Sequence, residues 1–590
     1  MPEVAPGDGG RIVRVAAAQC EIGTDVAANI ATLARMVGAA AVEGAQLVVL
    51  PEFGNHVSVY ESAEHAWEVA IDLDDPADPF VVAMSAGAAG HGLWVVANAT
   101  VRRAPAEDDT PARITITQML FSPTDGLVGQ ADKQVLMGAE HTFLTGGDTA
   151  GAVFDTSLGR VGLYCCMDGV INEPARSLAL QGAELMCISL NSFALDEASL
   201  HVPARAVENR VWVVACCKVG PLLPEHRRAE FAAFVGLPES TFTGAGESQV
   251  VAPDGTVVAT APRVGEAVIV ADIDLALAAN TRRPDGTDVM ALRRPELYGP
   301  VAEDVPALPP AGAPTLEVAA VQAGCGDVPA LAAEVGRLAA AGVELIVLPE
   351  LAALADGVVA GDPADAVAAS AALVVAVESA LAGTRTHVVL SVVEAEHGAT
   401  PGEVAHAHVG LVVTAEGVEC HQPALHRPAR HERWQTVLGD RVKVLAAPFG
   451  RLSVLVGDDA LVPEAGRLAV LGGAEVVAAP MTVAEPTDVS LLLAERCAEN
   501  RMCVVAASRP GPAGASAAYD PPADPVWSRP ERTEAFDGAI NDPDRHLAAT
   551  GDTVLRVTLH PTRAAEKLIS TATDLVHGRR PELCAALVEA

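Results

Sequence analysis

The sequence holds no Cys-x-x-Cys pair, and its 16 histidines form no cluster with the spacing of metal ligands. Eleven cysteines in so long a chain are too sparse for a disulfide scaffold, so reduced thiols are expected, with no metal and no other cofactor. Basic charge is scarce: 39 Lys and Arg stand against 76 Asp and Glu, a net charge of −37 spread along the chain. Such a surface opposes adhesion to nucleic acid or to an anionic membrane, and neither is an expected partner. The opening "MPEVAPGDGGRI" lacks the basic start and apolar stretch of a secretory signal. The aliphatic segment from Ala366 to Val377 stops at Glu378, short of the roughly 18 residues that span a bilayer. A cytoplasmic protein is the expectation.

At 590 residues the chain exceeds one ordinary core, and half of it is hydrophobic, enough to fill several. It also repeats itself. "VAAAQ" at Val15 returns as "VAAVQ" at Val318, and "LVVLPEF" at Leu47 as "LIVLPEL" at Leu345. "GRVGLYCCMDGVINEPAR" from Gly159 returns as "GRLSVLVGDDALVPEAGR" from Gly450, "RAVENR" at Arg205 as "RCAENR", and "RRPELY" at Arg293 as "RRPELC". The order is kept, which implies two copies of one domain, residues 11–298 and 315–590. Between them, 299–314 carries five prolines and reads as an extended linker.

Within a copy, short apolar runs such as "AQLVVL", "LWVVA" and "LMCISL" alternate with longer helical patterns such as Val26 to Glu43, the signature of an α/β layered domain. Three groups in the first copy fall at strand ends or in the loops that follow: Glu52 after "LVVLP", Lys133 in "ADKQVL" and Cys166 ending "VGLYCC". A thiol near a helix start and a cation is expected to have a lowered pKa, a carboxylate can take its proton, and an ammonium can steady an oxyanion. Each residue alone has a plainer role: Cys166 in the core, Glu52 and Lys133 in solvent.

Together the pattern resembles the carbon–nitrogen hydrolase family, the nitrilase superfamily, which uses a Glu-Lys-Cys triad. The nucleophile motif of that family has Asp two, Glu seven and Arg ten residues after the cysteine, here Asp168, Glu173 and Arg176 following Cys166. The resemblance implies that Glu52 is the general base, Lys133 the triad lysine, and Glu140 in "EHTFLTGGD" a second catalytic glutamate. Glu173, Arg176, Glu208 and Asn209 are assigned to bonding within the fold. Side chains of neighbouring residues in a strand point to opposite faces, so Cys165 and Cys166 cannot share one pocket; the family register selects Cys166.

The resemblance also implies a four-layer αββα sandwich, present twice and paired face to face as an intramolecular pseudo-dimer, with further homo-oligomers open. In the second copy Gly457 stands opposite Cys166, and Leu425 reads as the residue opposite Lys133. Glu350 keeps the position of the base, and Glu432 reads as the second glutamate. This copy is expected to be inactive. For the first, the expected activity is hydrolysis of a small amide through a cysteine thioester. Attack on a nitrile, acyl transfer to an acceptor other than water, and a non-catalytic binding role are the alternatives.

Overall fold

The structure is a computed structural model and describes residues 10–108, 110–397 and 404–589. Most of the opening stretch read for a secretory signal, residues 1–9, lies outside them.

In the strand Ile12–Gln19, Val13, Val15 and Ala17 face one way while Ala16 and Ala18 face the other. Both sets are apolar, so the strand is covered on both sides. One face packs on a second sheet, meeting Val161, Leu163, Leu185 and Val214. The other lies under the helices Val26–Val42 and Pro79–His91, which contribute Leu33, Met36, Val37, Phe80 and Met84. The second sheet is covered in turn by Asn172–Leu180 and Val202–Asn209 through Ala175, Leu178, Val202 and Ala206. The layers are therefore α, β, β and α.

Each sheet has six strands. The first runs Ala267–Asp274, Ile12–Gln19, Leu47–Val49, Trp94–Ala104, Arg113–Ser122, Gly126–Asp132. The second runs Val257–Thr260, Gln249–Val251, Trp212–Cys217, Leu185–Leu190, Arg160–Cys165, Val153–Asp155. The central three strands of each are parallel. Their carboxyl ends are where an open α/β sheet presents side chains to ligands. The second copy repeats the arrangement with two more six-stranded sheets, helices Val328–Ala340 and Pro363–Ala380 on one, and Pro463–Leu471 and Leu493–Asn500 on the other. Pro363–Ala380 is long and apolar enough, by length and composition, to cross a membrane. In the fold it buries the stripe Ala366, Ser370, Leu373 and Val377, with Leu373 and Val377 set in the core under the adjoining sheet.

The two compact units follow contacts rather than halves of the sequence. The first ends at Thr281 but also takes in Asp524–Ile540 and Leu568–Leu587; the second is Arg282–Ala523 with Asn541–Lys567 and the last three residues. Within the first unit, Thr573 Oγ1 donates to Leu136 O at 3.1 Å, the Ile540 N–H donates to Asp196, and Trp527 and Phe536 pack on Phe193. Within the second, Arg283 pairs with Asp488 at 2.8 Å and Arg293 with Glu464 at 2.8 Å. The Pro-rich segment is anchored there too, through Ala311 N–H to Glu475 and Ala313 N–H to Phe449 O. A chain cut within this segment would leave the first unit without two of its pieces.

Candidate active site

Glu52, Lys133, Glu140 and Cys166 come together in the first unit. Glu52 follows the strand Leu47–Val49 and is fully buried. Lys133 follows Gly126–Asp132, with its N–H donated to Ile116 O. Its Nζ donates to Glu52 Oε1 at 2.9 Å and to Glu140 Oε1 at 2.8 Å. Glu140 is aimed by its own turn, since its Oε2 accepts the Met137 N–H at 2.8 Å. One ammonium therefore serves two buried carboxylates.

Cys166 opens the short turn Cys166–Gly169 immediately after the strand Arg160–Cys165, with φ +45°. A non-glycine residue in the left-handed region is strained, and such strain gathers at functional sites. One extended strand through both cysteines is expected from the sequence; the strand ends at Cys165, and the positive φ redirects Cys166. The outcome for the side chains is as expected. Cys165 joins a cluster with Phe53, Ile116 and Leu136, while Cys166 borders another with Tyr164 and Ala175 and keeps 7% of its surface exposed. Asp168 holds the turn against the lysine loop, accepting the N–H groups of Gln134 and Val135 at 3.1 and 2.9 Å. Burial nevertheless pushes its carboxyl up to about 7. Arg176 bonds the Glu208 carbonyl and Asn209 Oδ1, the structural role expected of these residues.

Electrostatics correct one expectation. Burial and the Glu52 charge push the Cys166 thiol well above its ordinary range, and Lys133 only partly opposes them. Burial is the main reason, and the carboxylates around Lys133 add to it by raising the thiol against the pull of the ammonium. Burial also raises Glu52, against the pull of Lys133. Burial works against the charge of Lys133 itself, but Glu140 and Glu52 outweigh it and hold the ammonium well above its usual range. The resting set is a neutral thiol beside a base of raised affinity for protons.

Two further groups that the sequence does not single out reach this site. Lys218 follows the strand Trp212–Cys217, is fully buried, and lies 5.6 Å from the centre of the Phe53 ring, with no hydrogen-bond partner for Nζ among the described residues. Burial lowers it to about 8, and Glu52 opposes that shift. Its strand-end position, matching that of Cys166, was the available signal. Glu197, raised to about 7 by burial, acts on the Cys166 thiol; nothing in "LDEASLH" separates it from surface acids.

The second unit corrects the register in one loop. Ala424, not Leu425, stands opposite Lys133: its N–H donates to His408 O and its carbonyl accepts from Gly439, as Lys133 does with Ile116 and Gly147. The Leu425 and His426 N–H groups bond Asp459, as those of Gln134 and Val135 bond Asp168. By the same ladder His431, not Glu432, stands opposite Glu140, since Gln435 N–H donates to His431 O as Leu144 N–H does to Glu140 O. Glu432 is exposed.

Gly457 has φ +61°, the same left-handed turn as Cys166, and a Cβ there would lie 2.7 Å from Glu350 Oε1. Gly457→Cys in a Cys166→Ala background is therefore expected to restore no turnover. It should also destabilise the second unit by about 1–3 kcal/mol, read as a lowered midpoint in urea unfolding. Recovery of activity would show that only the sulfur is missing.

The carbon–nitrogen hydrolase family model matches residues 14–283 and again 317–541. A nitrilase of Pyrococcus abyssi is 30% identical over 270 residues, covering 46% of this chain and 92% of that protein. An N-carbamoylputrescine amidase of Solanum lycopersicum is 30% identical over 295 residues, covering 49% and 94%. A solved amidase of the nitrilase superfamily from Nesterenkonia AN1 covers 48% of this chain and 97% of its own at 21% identity, with a TM-score of 0.37.

Proposed function

This chain belongs to the carbon–nitrogen hydrolase family, and from that premise we propose that its first unit is a thiol amidase of small amides. The observation that carries the reading is the buried ammonium of Lys133 held between Glu52 and Glu140 beside a cysteine on a strained strand-end turn.

Glu52 takes the thiol proton as the Cys166 sulfur attacks the amide carbon, so the anion forms only as it is consumed. Lys133 meets the charge that develops on the carbonyl oxygen. The proton on Glu52 passes to the departing nitrogen, leaving ammonia or an amine and a thioester on Cys166. Water, deprotonated by Glu52 with Glu140 positioned nearby through the shared lysine, attacks the thioester and releases the acid and the thiol. The second unit has no sulfur opposite Cys166 and no amine opposite Lys133, and by this route it is inert.

The test is ammonia release by the full chain from a panel of amides, carbamoyl compounds and nitriles. Turnover is expected on at least one small amide and none in Cys166→Ala. Turnover of nitriles alone would move the assignment to a nitrilase, and activity surviving in Cys166→Ala would remove the thiol mechanism.

A further inference from the structure

The place where the second unit lost its sulfur and its amine has acquired other donors. His408 stands where the first unit has Ile116, and His431 where it has Glu140; both rings turn toward the retained Glu350. His408 Nδ1 is 3.9 Å and His431 Nε2 3.7 Å from Glu350 Oε1, and one donor atom from each of the three residues lies within 4.8 Å of the others. All three side chains are almost entirely buried. We propose that the second unit binds a divalent transition-metal ion on Glu350, His408 and His431.

Three observations support this. First, the two imidazole nitrogens that face Glu350, His408 Nδ1 and His431 Nε2, stand beyond hydrogen-bond distance of it, so neither is spent on that carboxylate. Second, the charge allows it. Arg430 pairs with Glu350, Asp458 and Asp285, so three carboxylates surround this guanidinium, and with Arg509 as the other cation on the cavity wall a net negative charge remains for a dication. Arg430 Nη2, 3.0 Å from Glu350 Oε1, acts as the hydrogen-bond donor that commonly orients a ligating carboxylate. Third, two of the three spacings fit. Donors about 2.1 Å from a tetrahedral zinc sit about 3.4 Å apart, so the two histidine–Glu350 contacts need to close by only a few tenths of an ångström.

Access is provided by a cavity of about 350 Å³ that His431 lines together with Arg430, Thr482, Ser508 and Arg509. Two imidazoles and one carboxylate suit zinc, ferrous iron or cobalt better than calcium or magnesium. Gly457 leaves clear the space beside Glu350 that a Cβ would take. The trio was hidden in the sequence because its members come from three segments far apart in the chain.

The test uses the untagged full chain, stripped with a chelator and titrated with Co²⁺ under visible absorption. One Co²⁺ per chain is expected, with affinity falling at least about 100-fold in His408→Gln and in His431→Gln, and unchanged in Cys166→Ala. Circular dichroism identifies any variant that fails to fold. Independently of the variants, the X-ray absorption spectrum of the Zn²⁺-loaded wild type should show two imidazoles and oxygen in the shell. No uptake by the wild type, equal uptake in both histidine variants, or sulfur in the shell would each overturn the proposal.

Discussion

Lys133→Met is expected to cost the first unit about 3–5 kcal/mol and to lower kcat/KM by at least about 1000-fold. Both effects come from one atom. Nζ is the direct hydrogen-bond partner of Glu52 Oε1 and Glu140 Oε1, in a place where neither carboxylate reaches bulk water. Without it the two carboxylates repel each other in a medium of low polarity, and Glu52, already raised by burial, loses the partner that held it down. The folded variant then keeps protons that the unfolded chain gives up. Its stability should therefore fall as pH rises above the ordinary carboxylate range, and the deficit against wild type should be larger at pH 8 than at pH 5. Urea unfolding at the two values reads this directly. A deficit independent of pH would mean that packing, not charge, is what Lys133 supplies.

Glu52→Gln preserves shape and removes the base. Since the thiol is pushed well above its usual range, almost none of it is ionised at neutral pH without a partner to take the proton. A loss of about 100- to 10,000-fold in kcat/KM is expected. The pH profile separates this from a structural effect. In the wild type the acid limb follows ionisation of Glu52 and lies above the usual glutamate range, because burial raises that group. In the variant that limb should vanish, and the residual rate should climb with pH toward the thiol's own ionisation. Equal profiles in the two proteins would remove Glu52 from the proton transfer.

The site was legible in the sequence to the extent that its residues sit at strand ends and keep a fixed spacing. Asp168, Glu173 and Arg176 mark Cys166 through the family motif, of which Asp168 bonds the lysine loop and Arg176 the end of Val202–Asn209, and Glu52 follows an apolar run that reads as a strand. The ionisation of the thiol was not legible, since it depends first on how deeply Cys166 is buried and then on carboxylates brought from other segments. Nor was the register around Ala424 and His431. From Lys133 to Leu144 the loop shares no residue with Ala424 to Gln435, and backbone hydrogen bonds align the two there. The α/β class could be read from alternating apolar runs, and the four layers followed from the family resemblance. The inclusion of Asp524–Ile540 and Leu568–Leu587 in the first unit could not, because it depends on long-range contacts such as Thr573 with Leu136 rather than on any local pattern.

The chemistry centres on a covalent bond to one sulfur, and that bond can be weighed. Full-length protein quenched during turnover of an amide it hydrolyses, digested and examined by mass spectrometry should carry the acyl group on the peptide containing Cys166 and on no other cysteine, with nothing retained in Cys166→Ala. Steady turnover with no acylated Cys166, or an acyl group on a different residue, would contradict the thiol mechanism.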